Sequence, residues 1–372
     1  MKELKYEFTR ESIMHGFDHE TCKVGPYIMY DGKDTAVLNY GKILLCGSDC
    51  GCGSFSAISY DGGKTFGEAK PLSPIMHTDE NGVTSRTGPS ATYYNKFHKK
   101  WLVFCFRGYR KDNVAPISIA GISVGEALYT TFDVEKQDWD TEGLKMIPFP
   151  FDTISALMHG QPIEFDNGDM LLSFYVTTKE MLTAGVITIR YSLTEDGLKI
   201  VKAGTLLRGD SYVRGFCEPS VAMLHGKYYM TLRTDEVGLL STSDNGYGFT
   251  KPEPWKWDDG TVLENYNTMQ RWIRHPDGLY LAYTRKGAHN DHVFRHRAPM
   301  FMARFDEDRL CLIKDSEVIL VPELGARLGN FSVTDVSDNE SWLTTAEWMQ
   351  PIGCEKYGSD NAIWIARIKW EK

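Results

Sequence analysis

The stretch "KGAHNDHVFRHRAPMF", residues 286–301, puts His289, Asp291, His292, Arg295, His296 and Arg297 into one short run. Charged and imidazole groups at that density are costly unless they face water, a ligand or a metal. Imidazoles titrate near neutral pH, so His292 or His296 suits proton transfer. Arginine forks suit a carboxylate, sulfate or phosphate. Three histidines are enough in number for a metal, but spacing fixes no common direction for them, and the expectation is no metal and no cofactor. A solvated salt-bridge cluster between strands is the equal alternative. Cys46, Cys50 and Cys52 beside Asp49 could hold a soft metal, yet small thiols packed in the fold are the better reading. No Gly-x-Gly-x-x-Gly or phosphate-loop pattern occurs, so no nucleotide cofactor is implied.

What must position such residues is a chain of 372 residues, long enough for one large or two medium domains. Its 34 Gly, 19 Tyr and 18 Phe favour turns and strands over helix. A net charge of −9 argues against a general nucleic-acid surface while leaving room for a local cationic pocket. No apolar run approaches the length of a membrane-spanning helix, and "MKELKYEFTR" does not resemble a signal peptide. Eight scattered cysteines without a paired framework then read as reduced, cytoplasmic thiols.

One pattern recurs along the chain: a β-like run, a polar turn, a second apolar run. It occurs at 35–49, 89–106, 161–176, 219–235, 269–285 and 330–348, far enough apart for two more strands per unit. Six such units predict an all-β, single-domain, six-bladed propeller over residues 1–372. The stretch "SYDGGKTFGEAKPL" (59–72) fits the turn joining a unit's outer strands. Asp244, Gly246 and Phe249, with Thr242 and Gly248, repeat the spacing of Ser59, Asp61, Gly63, Thr65 and Phe66, and "YSLTEDGLKI" at 191–200 is a weaker echo. Positions at the start of each innermost strand would converge on a central channel. They are Lys23 and Tyr27, Arg86, His159 and Gln161, Arg214 and Glu218, Tyr266 and Gln270, Arg327 and Asn330. Such a pocket is rich in cations and poor in carboxylates, which suits an anionic ligand.

Ser-x-Asp-x-Gly-x-Thr-aromatic at 59–66 resembles the Asp-box of the sialidase superfamily, and the chain looks like a divergent member of it. The resemblance implies that these boxes are structural and lie away from the active site. It identifies "EPSVAMLHGKYYMTLR" with a segment in which a glutamate opens a strand and an arginine ends the next. Glu218 then matches the glutamate that activates the nucleophile, and Arg233 matches one of three arginines that clamp the substrate carboxylate. Arg297 would be a later arginine of that clamp, with Arg214 and Arg327 alongside, and Asp49 stands about where the family carries its acid/base aspartate. Two departures stand out. Where the family begins its clamp with an arginine this chain has "CKVGPYIMY" and Lys23, and where it carries a tyrosine nucleophile the chain has Phe331-Ser332 in "GNFSV". Tyr266 is the candidate substitute. Phenylalanine cannot attack an anomeric carbon, so the tyrosine mechanism is not carried over at that position.

The expected activity is therefore exo-acting hydrolysis of a small acidic glycoside or oligosaccharide. Glu218, Asp49, His159 and His296 are the candidates to move protons; Arg86, Gln161, Arg214, Arg233, Tyr266, Gln270, Arg297 and Arg327 are the candidates to bind substrate. Eliminative cleavage of a uronate by histidine and arginine is the first alternative, and a non-catalytic glycan-binding surface is the second. Trp255, Trp257, Trp342 and Trp348 could stack on sugars or serve as core. Glu347 points into the channel or caps a strand. No nucleic-acid or membrane partner is expected.

Overall fold

A computed structural model describes residues 4–47, 50–111, 115–119, 122–181 and 183–371. Its described residues form an all-β fold with three short 3-10 turns, in keeping with the turn-rich, aromatic composition. Among the described residues there are three four-stranded sheets, one five-stranded sheet, one thirteen-stranded sheet and a two-stranded ribbon. The first sheet runs Thr21–Tyr30, Ala36–Leu44, Gly51–Ser59, Lys70–Pro71 in sequence order. The thirteen-stranded sheet contains two antiparallel groups, one built on Val83–Asn95, Lys100–Lys111 and Gly125–Asp133, the other on Ser155–Met158, Met170–Thr177 and Gly185–Thr194. They meet through a single parallel pairing, Gly125 with Ser155. In the last sheet the order is Tyr6–Ile13, Ile363–Trp370, Glu340–Ala346, Phe331–Ser337. An early strand thus completes the final sheet, with eight residue pairs from Tyr6↔Trp370 to Ile13↔Ile363.

Inner strands such as Lys227–Arg233 and Gly278–Tyr283 are buried on both faces, so successive groups pack against one another. Met29, Val37, Val103 and Leu128 join the first group to the second, and Leu102, Phe104, Leu172 and Ile187 join the second to the third. Leu171, Val221 and Leu232 continue the series, followed by Trp255, Trp272 and Phe305, then Ile273, Met302 and Leu343. Ile28, Leu38, Trp342 and Ile365 bring the last group back onto the first. The leading strands Thr21–Tyr30, Val83–Asn95, Cys217–Leu224, Arg271–His275 and Phe331–Ser337 each touch a neighbouring leading strand.

The turn at 59–66 explains its own composition. Ser59 Oγ donates to Asp61 Oδ1 (2.7 Å) and accepts from Gly63 N (2.8 Å). Asp61 accepts from the Lys64 and Thr65 amides (3.0 and 2.9 Å) and from Thr65 Oγ1 (2.6 Å). Gly63 has φ +78°, and a Cβ there would lie 2.4 Å from Trp342 of the last sheet, so glycine is required twice over. The turn joins the third and fourth strands of its sheet, as expected.

Two sequence expectations shift by a residue or a strand. At 35–49 no hairpin forms: Ala36–Leu44 is one continuous strand. The turn precedes it, at Asp31–Thr35, where Asp31 Oδ1 accepts from the Lys33 and Thr35 amides. Gly41 lies within that strand, paired with Val24 of the neighbouring strand. The second turn is built on Ser243 and Asn245 rather than on Thr242 and Asp244. Ser243 Oγ accepts from Gly246 N (3.0 Å), and Asn245 Oδ1 accepts from the Tyr247 and Gly248 amides. A one-residue deletion moves its polar pair forward. Both turns are gripped by the adjoining group, through Arg367 Nη2 on the Gly63 carbonyl and Thr188 Oγ1 on the Gly246 carbonyl.

Candidate active site

Glu218 stands near the start of the strand Cys217–Leu224, and Arg233 ends its partner, Lys227–Arg233. The register Cys217↔Arg233 brings the two side chains to one place, with Arg233 Nη1 donating to Glu218 Oε1 at 2.8 Å. Both are about nine-tenths buried. Burial would raise the Glu218 carboxyl; the opposing pull of Arg233, with His159 and Arg297 behind it, holds it at about 2. Glu218 is thus an anion at any physiological pH, and its Oε2 has no partner among the described residues. Its backbone has φ +48°. Asn267 (φ +50°), Arg295 (φ +58°) and His296 (φ +51°) share that left-handed conformation nearby. For a side chain larger than Asn or Asp this costs on the order of 1–2 kcal/mol, and such strain concentrates at functional sites.

Asn267 is the hub of the arginine cluster. Its Oδ1 accepts from Arg233 Nη2 (2.7 Å), and its carbonyl accepts from Arg297 Nε (3.2 Å) and Nη2. Arg297 is 4% exposed. Burial and the neighbouring Arg233 push its guanidinium well below the usual arginine range, with Glu218 opposing. Arg327, also buried, donates to Gln350 Oε1 (2.8 Å) and stacks on Trp348 at 4.0 Å, with exposed Phe294 at 5.0 Å. Arg214 lies near Glu218 but donates through one edge, Nε and Nη2, to Asp235 Oδ2 and Oδ1, at 2.7 and 2.5 Å. Its charge is met by a carboxylate, whereas the same edge of Arg297 meets a backbone carbonyl.

A second hydrogen-bonded knot lies within electrostatic reach of Glu218 and Arg233. Arg271 Nη2 donates to His159 Nδ1 (2.6 Å), and Tyr27 Oη lies 3.3 Å from the same nitrogen. A nitrogen that accepts from a guanidinium carries no proton, so His159 is neutral with its proton on Nε2. Burial first, then Arg271, depress its titration to about 4 against the opposing pull of Glu218. Burial pushes the Tyr27 phenol up to about 12, eased by Arg271 and reinforced by Glu218. Tyr27 and His159 border a cavity of about 480 Å³ that reaches between the first two groups and includes Arg86, Ser90 and Asn330 on its wall.

The remaining expectations separate. Tyr266 Oη pairs with His296 Nδ1 at 2.8 Å, and His296 Nε2 lies 3.3 Å from Asp291, giving a phenol–imidazole–carboxylate chain at the rim of the arginine cluster. Gln270 faces away from the interior: fully buried, it accepts from Thr231 Oγ1 and donates to the Thr268 carbonyl, both at 2.7 Å. Its neighbour Arg271 takes the inward position, because successive strand residues point to opposite faces. Gln161 lies toward the far ends of the leading strands, in another chamber. Arg86 donates to the Gly51 carbonyl. Asp49 lies outside the described residues; Gln350, which holds Arg327, also ties down Gly47 just before it.

Lys23 is turned away, donating to the Asn361 carbonyl at 2.8 Å. Phe331 is sealed in an apolar cluster. Trp255, Trp257 and Trp342 are core, and Glu347 accepts from the Asp360 and Ala362 amides. His292 pairs with Glu323 (3.0 Å) and stacks on Tyr357, so the histidines of the 286–301 run do not converge. Among the described residues no group of His, Cys, Asp or Glu is placed to hold a metal.

No protein-family model matches the chain, and no curated protein matches it. Solved structures do. A protein of unknown function from Dyadobacter fermentans is similar over 98% of this chain and 99% of its own, with TM-score 0.63 and 15% identity. Trypanosoma rangeli sialidase in complex with sialic acid gives TM-score 0.61 and 12% identity over 97% of this chain. The Hadza microbial sialidase Hz136 gives TM-score 0.61 and 12% identity over 95% of this chain. The chain spans 58% and 66% of those two sialidases. At these identities the likeness speaks for the fold: the protein has an all-β, propeller-like fold of the sialidase type.

Proposed function

We propose that the chain is a six-bladed propeller, the thirteen-stranded sheet counting as two blades, and that it hydrolyses small acidic glycosides from their ends. The observation that carries the reading is Arg297. It is a buried guanidinium whose contacts are to a backbone carbonyl rather than a carboxylate, set beside the ionised Glu218–Arg233 pair. A buried cation of that kind calls for an anion from outside, and a planar fork matches a carboxylate. The T. rangeli sialidase of similar fold holds sialic acid, an acidic sugar.

In this reading Arg297 and Arg233 orient the carboxylate, with Arg327 and its aromatic neighbours beside them. The Oε2 of Glu218 faces the developing positive charge at the anomeric carbon. Two phenols are in reach of the cluster. Tyr27 is the one that Glu218 influences directly, and Tyr266 is the one backed by His296 and Asp291. Water adds at the anomeric carbon, the glycosidic C–O bond breaks, and the leaving oxygen takes a proton.

A second reading, eliminative cleavage of a uronate, is favoured by one specific contact: the Tyr266 hydroxyl on His296 Nδ1, with Asp291 behind the same ring, a phenol and an imidazole at one point beside the arginines. Incubation of the protein with sialosides, glucuronides and rhamnosyl-glucuronides in H₂¹⁸O, followed by mass spectrometry, separates the two. Hydrolysis yields an intact acidic sugar carrying ¹⁸O. Elimination yields an unsaturated uronate, seen by its ultraviolet absorbance, without ¹⁸O. No product from any substrate overturns both and leaves a binding protein.

A further inference from the structure

The leading strands enclose a second chamber at their other ends. Glu218 belongs to the start of its strand, whereas this cavity of about 370 Å³ is walled by later residues: Tyr93, Arg274, His275 and Asp335. Gln161 and Arg271 complete the wall. The volume lies within the range of small-molecule pockets.

Its polar atoms are unusually idle. Both amide atoms of Gln161, Oδ1 of Asp335 and Nη1 of Arg271 are buried and have no hydrogen-bond partner among the described residues. Arg271 is 1% exposed. Buried groups of this kind are normally paired, because each unmade bond is costly. Of the other groups on the wall, Thr92 Oγ1 is also without a partner among the described residues, whereas Arg274 and Glu164 are occupied. Arg274 is bound to Asp335 Oδ2 and to the Pro162 carbonyl, and Glu164 accepts from Tyr93, Lys96 and Phe97. What is left over is specific: a guanidinium N–H that wants an anion, a carboxylate oxygen that wants a hydroxyl, and an amide that takes one of each. Tyr27 and Tyr93 add aromatic surface of the kind that packs on a sugar ring.

We propose that this chamber is a second binding site, for a small polyhydroxylated carboxylate of the sugar-acid type. The inference stands on the chamber's own atoms and does not need the hydrolytic reading of the Glu218 cluster. Arg271 links the two places: its Nη2 holds His159, which borders both cavities and feels the charge of Glu218.

The test is NMR of the histidine side chains during addition of sodium D-glucuronate, with D-glucose as the uncharged twin. His275 lines this chamber and not the arginine cluster, and His275→Gln assigns its signal. Glucuronate should shift the His275 ring signals saturably, glucose should not, and Gln161→Leu should weaken the response about tenfold or more. Gln161→Glu, which keeps the shape and places a second negative charge in the chamber, should abolish it. His275 signals unmoved at millimolar glucuronate, moved equally by glucose, or moved equally in both Gln161 variants would overturn the proposal. Loss of turnover in the product screen with the His275 response intact would sink only the hydrolase reading.

Discussion

Replacing Glu218 by glutamine isolates the charge of the buried pair while keeping its shape. A carboxyl held at about 2 instead of its ordinary 4.5 stabilises the folded chain by about 3 kcal/mol at neutral pH. That agrees with the several kcal/mol expected when a buried ion pair loses one partner. The sign follows from the direction of the shift. The folded state favours the ionised form, so the contribution is complete above pH 4.5 and is lost as pH falls toward 2. Glutamine still offers an oxygen to Arg233 Nη1 but leaves the guanidinium with the more distant Asp235, at 3.9 Å, as its ion-pair partner. For 372 residues the loss corresponds to a fall in Tm of about 4 °C at pH 7. Denaturation of both proteins across pH reads it, and the gap should shrink between pH 4.5 and 2. Turnover of the acidic glycoside should vanish while affinity for it is kept. Equal stability at pH 7, or a gap indifferent to acid, would refute the pairing.

Other consequences follow from single contacts. Gly63→Ala forces a Cβ into Trp342 at φ +78° and should cost about 2–4 kcal/mol, read by denaturant unfolding; an unchanged midpoint would contradict the turn-to-last-sheet grip. The imidazole of His159 should stay neutral from pH 8 down to about 5 in its NMR titration, since its protonation is delayed to about 4. The stability this confers is present above pH 6.5 and is lost as pH falls through 4, and His159→Gln should flatten that part of the profile. Phe331→Tyr should bury a hydroxyl in an apolar cluster, destabilise the chain by about 1–3 kcal/mol and create no new sialidase activity; a gain of activity would show that the position faces substrate after all.

Local chemistry made much of this legible. Ser59, Asp61, Gly63 and Thr65 specify their turn by hydrogen bonds within eight residues, and the Glu218–Arg233 pairing follows from one hairpin register. What misled was register and direction. The run around Gly41 carries the composition of a turn but forms one strand, Ala36–Leu44. Gln270 and Arg271 are adjacent, and only the strand's starting residue decides which of them looks inward. Arg214 and Arg297 are alike as residue types; the difference is Asp235, held against Arg214 by tertiary contacts that spacing does not reveal. Asn267 gave one faint signal, since asparagine tolerates the left-handed backbone it adopts.

In the hydrolytic reading the arginines around Glu218 hold the carboxylate of an acidic sugar. A crystal structure of the protein soaked with N-acetylneuraminate or D-glucuronate tests this. The sugar carboxylate should lie against Arg297 and Arg233, with the anomeric carbon toward Glu218 Oε2. A sugar bound elsewhere, with Arg297 still on the Asn267 carbonyl and nothing beside it, would contradict it.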